Sequence, residues 1–298
     1  MQEVGVLMTI NKLTSTLILL VVPAFAANPQ PGTYLALGDS VAFGMNPLLF
    51  PPYSFQTPTS SQFVGFPEAF AKFTNLPATN LVNAACPGET SDSFLDQTKP
   101  DLGCNSPRFP GALPFKTSIK PHTVYTISQM EFAKAQLDGN RSINLVTLTI
   151  GANDVLAVVP RLQQCTDQAC PAAILGPVLS NYARNLNEIL TGIRSRYRGT
   201  LIVTKYYSPA PALDSITVAL NDVMSTVVSQ LNGHGSAPIQ FADGFTAFKI
   251  AALTKGGDAC AAGLVIDLPS TTVCDEHPSE KGRDILALIV FLAQLTKH

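Results

Sequence analysis

A chain of 298 residues with a net charge of −2 and only 13 % charged residues lacks the basic footprint of a nucleic-acid binder or of a protein drawn to anionic membrane surfaces. Its 46 % hydrophobic content and mean hydropathy of +0.22 exclude a disordered chain. No P-loop, Gly-x-Gly-x-x-Gly segment, EF-hand loop or Cys-x-x-Cys pair is present. No cofactor and no metal are therefore expected.

The first element is a leader. Lys12 precedes an apolar stretch from Leu13 to Phe25, and Ala24-Phe25-Ala26 offers a cleavage site before Asn28-Pro29-Gln30-Pro31. This reads as a signal peptide over residues 1–26, with residues 27–298 forming a single domain. The alternative, an uncleaved anchor, is disfavoured because the apolar core falls short of the ~20 residues of a spanning helix. The mature protein is expected to be secreted or periplasmic, with no stable membrane insertion.

Tyr34 to Leu37 reads as a first strand that ends at Gly38-Asp39-Ser40. Asn46 to Ser61, with Pro47, Pro51, Pro52 and Pro58, has no clear period and reads as an irregular loop. Phe66 to Phe73 has helical spacing, Leu81 to Ala85 reads as a second strand, and Thr98 to His122 is again proline-rich and irregular. A helix is predicted from Thr126 to Leu137. Ile143 to Ile150 is the strongest strand signal, with apolar residues suited to burial on both faces. Helices from Ile174 to Tyr197 and Leu213 to Leu231 alternate with strands from Leu201 to Thr204 and Ile239 to Ala242, and Ile285 to Leu295 closes the chain as a helix. This alternation predicts an α/β fold, a doubly wound five-stranded parallel sheet with helices on both faces. Ligands of such sheets bind beyond the carboxyl ends of the strands, where Ser40, Gly88 and Asn153 would fall.

Six cysteines in an exported chain point to disulfides. Spacing favours the local pairs Cys86 with Cys104, Cys165 with Cys170 and Cys260 with Cys274, one of the fifteen connectivities that six cysteines permit.

Gly38-Asp39-Ser40 sets a hydroxyl on a turn at the sheet edge, although turns and helix caps use Asp and Ser as well. In Gly151-Ala152-Asn153-Asp154 the Asn153 amide can face a developing oxyanion, or the segment can be an ordinary turn capped by Asp154. The Gly88 N–H could donate to the same oxyanion. His277, in Cys274-Asp275-Glu276-His277-Pro278, is the only histidine with neighbouring carboxylates, as a general base requires. His122, His234 and His298 read as solvated surface residues.

Taken in this order, Gly38-Asp39-Ser40, Gly88, Gly151-Ala152-Asn153-Asp154 and Asp275-Glu276-His277-Pro278 resemble the motifs of the SGNH hydrolases, the GDSL-type lipases and esterases. The local cysteine pairs look like those of secreted bacterial lipases within that family. The resemblance implies a flavodoxin-like SGNH hydrolase fold. It also implies Ser40 as nucleophile, His277 as base and an oxyanion hole made by the Ser40 N–H, the Gly88 N–H and the Asn153 side chain. The family's usual motif has Asp three residues before His, where this chain has Cys274. Either Asp275 or the Cys274 carbonyl would then orient His277, giving a triad or a dyad.

The implied activity is that of a secreted serine ester hydrolase, a lipase or carboxylesterase, acting as a monomer on a small neutral ester or lipid. A carbohydrate acetylesterase of the same fold and a non-catalytic exported binding protein are the rival readings. Leu48, Leu49, Phe50, Tyr53, Phe55, Phe63 and Phe66 suggest an acyl-accepting groove, or else a cap on the core, while the absence of Trp removes the commonest sugar-stacking platform.

Overall fold

The structure, a computed structural model, describes residues 32–296 apart from 120, 234–236, 270 and 272. The expected leader lies outside the described residues. In chain order the elements are β1 (Thr33–Gly38), α1 (Ser40–Phe43), α2 (Phe66–Phe73), β2 (Leu81–Asn83), α3 (Ser91–Leu95), α4 (Phe115–Ser118), α5 (Gln129–Gly139), β3 (Ile143–Thr149) and α6 (Ala152–Leu156). There follow α7 (Val159–Leu162), α8 (Cys170–Arg194), β4 (Thr200–Lys205), α9 (Asp214–Asn232), β5 (Ile239–Asp243), α10 (Gly244–Ala251), β6 (Val265–Asp267), β7 (Cys274–Pro278) and α11 (Glu280–Leu295).

The five expected strands form one parallel sheet in the order β2-β1-β3-β4-β5. All six residues of β1 are buried, as are Leu145 to Thr149 of β3, because central parallel strands are covered on both faces. Helices α5, α8 and α9 pack together on one side, and α2, α10 and α11 on the other. In this order the chain reverses direction between β1 and β3, and doubly wound sheets open a crevice at such a switch point. The candidate residues after β1 and β3 flank it.

Local chemistry sets the element ends. The second strand stops at Asn83 because the Asn83 side chain accepts the Ala85 N–H at 3.1 Å and turns the chain. Helix α5 starts at Gln129 because Ser128 caps it, accepting the Glu131 N–H at 3.1 Å. Helix α8 starts at Cys170, earlier than its apolar spacing indicates, where Asp167 accepts the N–H groups of Ala169 and Cys170 at 2.9 Å. Helix α11 starts at Glu280, behind Ser279 as its cap.

The pairing of β6 with β7 in a separate antiparallel hairpin is not foreseen by the sequence reading. Both strands are short and the second is mostly polar, so neither has the apolar run that marks a core strand. Disulfides join Cys86 to Cys104, Cys165 to Cys170 and Cys260 to Cys274, the three local pairs. Among the described residues no helix is long and apolar enough to cross a membrane.

Candidate active site

Strand β1 ends on Gly38, whose φ of +140° favours glycine and whose Cβ, if present, would come within 2.1 Å of the Thr149 carbonyl oxygen. The chain can therefore turn sharply, and Ser40 opens α1. Asp39 caps that helix through Oδ1, which accepts the Val41 N–H at 3.0 Å, while its Oδ2 accepts the Tyr206 hydroxyl. Burial pushes the Asp39 carboxyl up to about 6 against the opposing effect of these hydrogen bonds. Asp39 thus spends both oxygens on holding the turn.

His277 reaches Ser40 from the far end of the chain. Its Nε2 lies 2.8 Å from Ser40 Oγ across a sequence separation of 237, and its Nδ1 lies 2.5 Å from Asp275 Oδ1, which also accepts the His277 backbone N–H at 2.9 Å. Alternate residues of a strand share a face, so a two-residue spacing on β7 suffices to bring this carboxylate to the ring. Of the two candidate orienting groups, the Asp275 carboxylate is the one in contact. With Nδ1–H donating to Asp275, Nε2 is left to accept the Ser40 hydroxyl proton.

Burial by itself would lower the His277 pKa, but hydrogen bonding and charge from Asp275, with the charges of Glu276 and Asp39, raise it above the ordinary imidazole value. Asp275 moves the other way: burial would raise it, yet its contacts with His277 hold it below the usual carboxylate range. The carbonyl of Glu276 accepts the Tyr207 hydroxyl at 2.6 Å, and Tyr207 stacks on Phe248, so the backbone beside His277 is pinned to the core.

Gly88 follows β2 with φ of +82°, against the Leu102 backbone. Neither the Ser40 N–H nor the Gly88 N–H has a hydrogen-bond partner among the described residues. Asn153, 5 % exposed, donates one Nδ2 hydrogen to the Glu89 carbonyl at 2.9 Å. Asp154 plays no part in this array. It accepts the backbone N–H of Ser91 at 2.9 Å and the Ser91 hydroxyl at 2.5 Å, and burial pushes its carboxyl up to about 6.

A cavity of about 130 Å³ adjoins Ser40, Asn153 and His277. Its far wall is apolar, with Leu156 and Val159 on one side and Leu213, Ile216 and Leu220 on the other. Gly88 is not in its lining. None of the seven residues suggested as an acyl groove lines it either. Phe63 and Phe66 are core residues, Phe50 packs on Phe63 and Phe115, and Phe55 is 84 % exposed, so that segment packs largely on itself and the core. His122, expected as a solvated surface residue, instead lays its ring against Phe43, and its Nε2–H donates to the Phe43 carbonyl at 3.0 Å. His234 and His298 lie outside the described residues.

The sequence reading misses Tyr206, Tyr207, Gln129 and Glu89. Tyr206-Tyr207 follows a buried strand at the same sheet edge as Ser40 and Asn153, which is the signal that could have found it. Among the described residues two groups bring ligand-type atoms together, Cys86 with Glu89 and Cys104, and Asp275 with Glu276 and His277. Both cysteines are tied in a disulfide, and Asp275 and His277 are bonded to each other.

Solved structures are similar to the chain. A lipase structure from a goat rumen metagenome has 18 % identity to the chain and covers 88 % of it and 97 % of itself, at a TM-score of 0.50. An acetylxylan esterase from Geobacillus stearothermophilus has 15 % identity, covers 90 % of this chain and 95 % of its own, and has a TM-score of 0.49. A member of the lipolytic G-D-S-L family from Veillonella parvula has 13 % identity over 89 % of this chain and 98 % of its own, at 0.48. No curated protein sequence matches the chain. The model of the GDSL-like lipase/acylhydrolase family matches residues 36–285, a span that runs from β1 to α11 and takes in Ser40, Gly88, Asn153 and His277. The chain belongs to the GDSL-like lipase/acylhydrolase family.

Proposed function

We propose that the protein is an exported carboxylic ester hydrolase that works through an acyl-enzyme on Ser40. The observation that carries the reading is the continuous line from Asp275 Oδ1 through His277 to Ser40 Oγ, with contacts of 2.5 and 2.8 Å. In the first half-reaction Ser40 Oγ attacks the ester carbonyl carbon while His277 Nε2 takes the hydroxyl proton. The imidazolium, steadied by Asp275, returns that proton to the leaving alcohol as the C–O bond breaks. Water, deprotonated by the same nitrogen, then attacks the acyl carbon, and the imidazolium returns that proton to Ser40 Oγ as the acyl–Oγ bond breaks and the acid leaves.

Negative charge on the carbonyl oxygen would be received by the uncommitted N–H groups of Ser40 and Gly88 and by the second Nδ2 hydrogen of Asn153. The acyl chain would run into the apolar cavity between Leu156 and Ile216, which favours an apolar acyl group over a sugar-bearing one. The leader and the three disulfides support export to an oxidising compartment, with residues 27–298 acting as one domain and as a monomer.

The test is covalent labelling with an organophosphonate ester, read by mass spectrometry. One phosphonyl group on Ser40, with loss of nitrophenyl-ester turnover in step and no label on Ser40→Ala, is the expected result. Folded protein that neither labels nor turns over esters would leave a binding protein as the better reading.

A further inference from the structure

The nucleophile turn is gripped from behind by a side chain that no motif contains. Gln129 is fully buried at the start of α5. Its Oε1 accepts the Gly38 N–H at 2.5 Å and its Nε2 donates to the Gly38 carbonyl at 3.0 Å. Beyond Asn83 the chain still reaches β1 through Cys86, whose N–H donates to the Gly38 carbonyl at 3.0 Å, but it offers the Gly38 N–H no backbone acceptor. The Gln129 amide supplies that acceptor and adds a second donor to the Gly38 carbonyl, two residues before Ser40.

The other Nε2 hydrogen of Gln129 donates to Glu89 Oε2 at 3.0 Å. Glu89 is also fully buried, and its Oε1 accepts the Ser93 hydroxyl at 2.6 Å and the Asn105 amide at 3.1 Å. Gln129, Ser93 and Asn105 all meet the carboxylate as donors, so Glu89 fixes which way round the Gln129 amide sits. Glu89 also follows Gly88 directly, and its own carbonyl holds Asn153. One side-chain pair therefore touches the backbone on either side of the strand-end crevice.

We propose that Gln129 and Glu89 are positioning residues that set Ser40 against Gly88 and Asn153. They act on backbone and never meet the substrate. The hydroxyl, two N–H groups and one amide come from three separate strand ends, and catalysis of this kind tolerates displacements well below 1 Å. A scaffold that only stabilised the fold would not need to join the turn of one strand end to the loop of the next.

The inference rests on the Ser40 assignment, and the two fail differently. Full turnover by Ser40→Ala ends the assignment, whereas wild-type kcat in a Gln129 variant ends only the positioning role. The experiment uses the full disulfide-bonded chain and the variant Gln129→Met, which keeps length but loses both contacts to Gly38. Arg194→Met serves as the comparison. That buried arginine bonds the carbonyls of Tyr197, Gly199 and Pro238 at the opposite edge of the sheet.

Expected in Gln129→Met is a kcat for nitrophenyl acetate lowered about 10- to 100-fold with KM within about threefold, while Arg194→Met loses Tm and keeps kcat within about twofold. The proposal is overturned by a folded Gln129→Met with wild-type kcat, by a change in KM alone, or by an equal kcat loss in Arg194→Met at equal Tm loss. If Gln129→Met does not fold, Glu89→Gln decides, since it preserves volume but sets an amide against an amide. A severalfold lower kcat at constant KM supports the role, and an unchanged kcat overturns it.

Discussion

Asp275 carries a specific expectation because it holds His277 twice, through the ring and through the backbone N–H. Asp275→Asn keeps the backbone contact and removes the charge, so kcat is expected to fall about 10³- to 10⁴-fold through loss of the productive tautomer. An Asp275→Ala variant with nearly full kcat would show that a carbonyl can do the orienting. The pH dependence follows the same pair. His277 must be neutral to accept the Ser40 proton, and its pKa is raised, so kcat/KM should fall with acidity through a midpoint above the ordinary imidazole value of about 6.5. In Asp275→Asn that midpoint should move down, and an unmoved midpoint would separate Asp275 from the titration. Asn153→Ala should lose ~10² to 10³ in rate, about 2.7–4 kcal/mol of transition-state stabilisation, with Tm little changed. A wild-type rate there would remove Asn153 from the oxyanion site.

At the scale of elements, the cavity wall sets the next test. Leu213, Ile216 and Leu220 lie three and four residues apart around the start of α9, so they present one apolar stripe to the pocket. Ile216→Trp should lower kcat/KM for octanoyl esters about tenfold and leave acetyl esters within about threefold. Phe55→Ala should change neither, and a loss of octanoyl activity there would restore the 46–66 segment as the acyl site. That stripe was legible as helical spacing, but nothing in a period distinguishes a face turned to the core from one turned to a cavity. The five sheet strands were legible for a better reason, since burial on both faces leaves a continuous apolar run. The β6–β7 hairpin has no such run, and the glutamine that grips Gly38 sits 91 residues away from it. A contact of that kind depends on tertiary placement and leaves no local pattern.

Across the molecule, the burial of carboxylates beside the sheet edge has a thermodynamic sign. Asp39 and Asp154 are pushed up to about 6 and Glu89 to about 7, with burial the largest cause in each. A carboxyl whose folded pKa exceeds its unfolded value binds more protons when folded, so its contribution to stability falls as pH rises through the interval between the two values. His277, also raised, loses its contribution as pH climbs through its folded pKa. The depressed Asp275 opposes this trend only under stronger acid, where it must be protonated. Thermal unfolding should therefore occur at a higher temperature near about pH 5 than near about pH 8. The opposite order would mean that hydrogen bonds, and not burial, govern these groups.

The hairpin that delivers His277 also fixes when reactivity can arise. A domain folds as a unit, and synthesis delivers its amino end first. The turn bearing Ser40 is translated early, and its proposed base emerges from the ribosome 237 residues later. Under that assignment a nascent polypeptide holds an inert alcohol, and esterolytic power is switched on only when the closing hairpin docks.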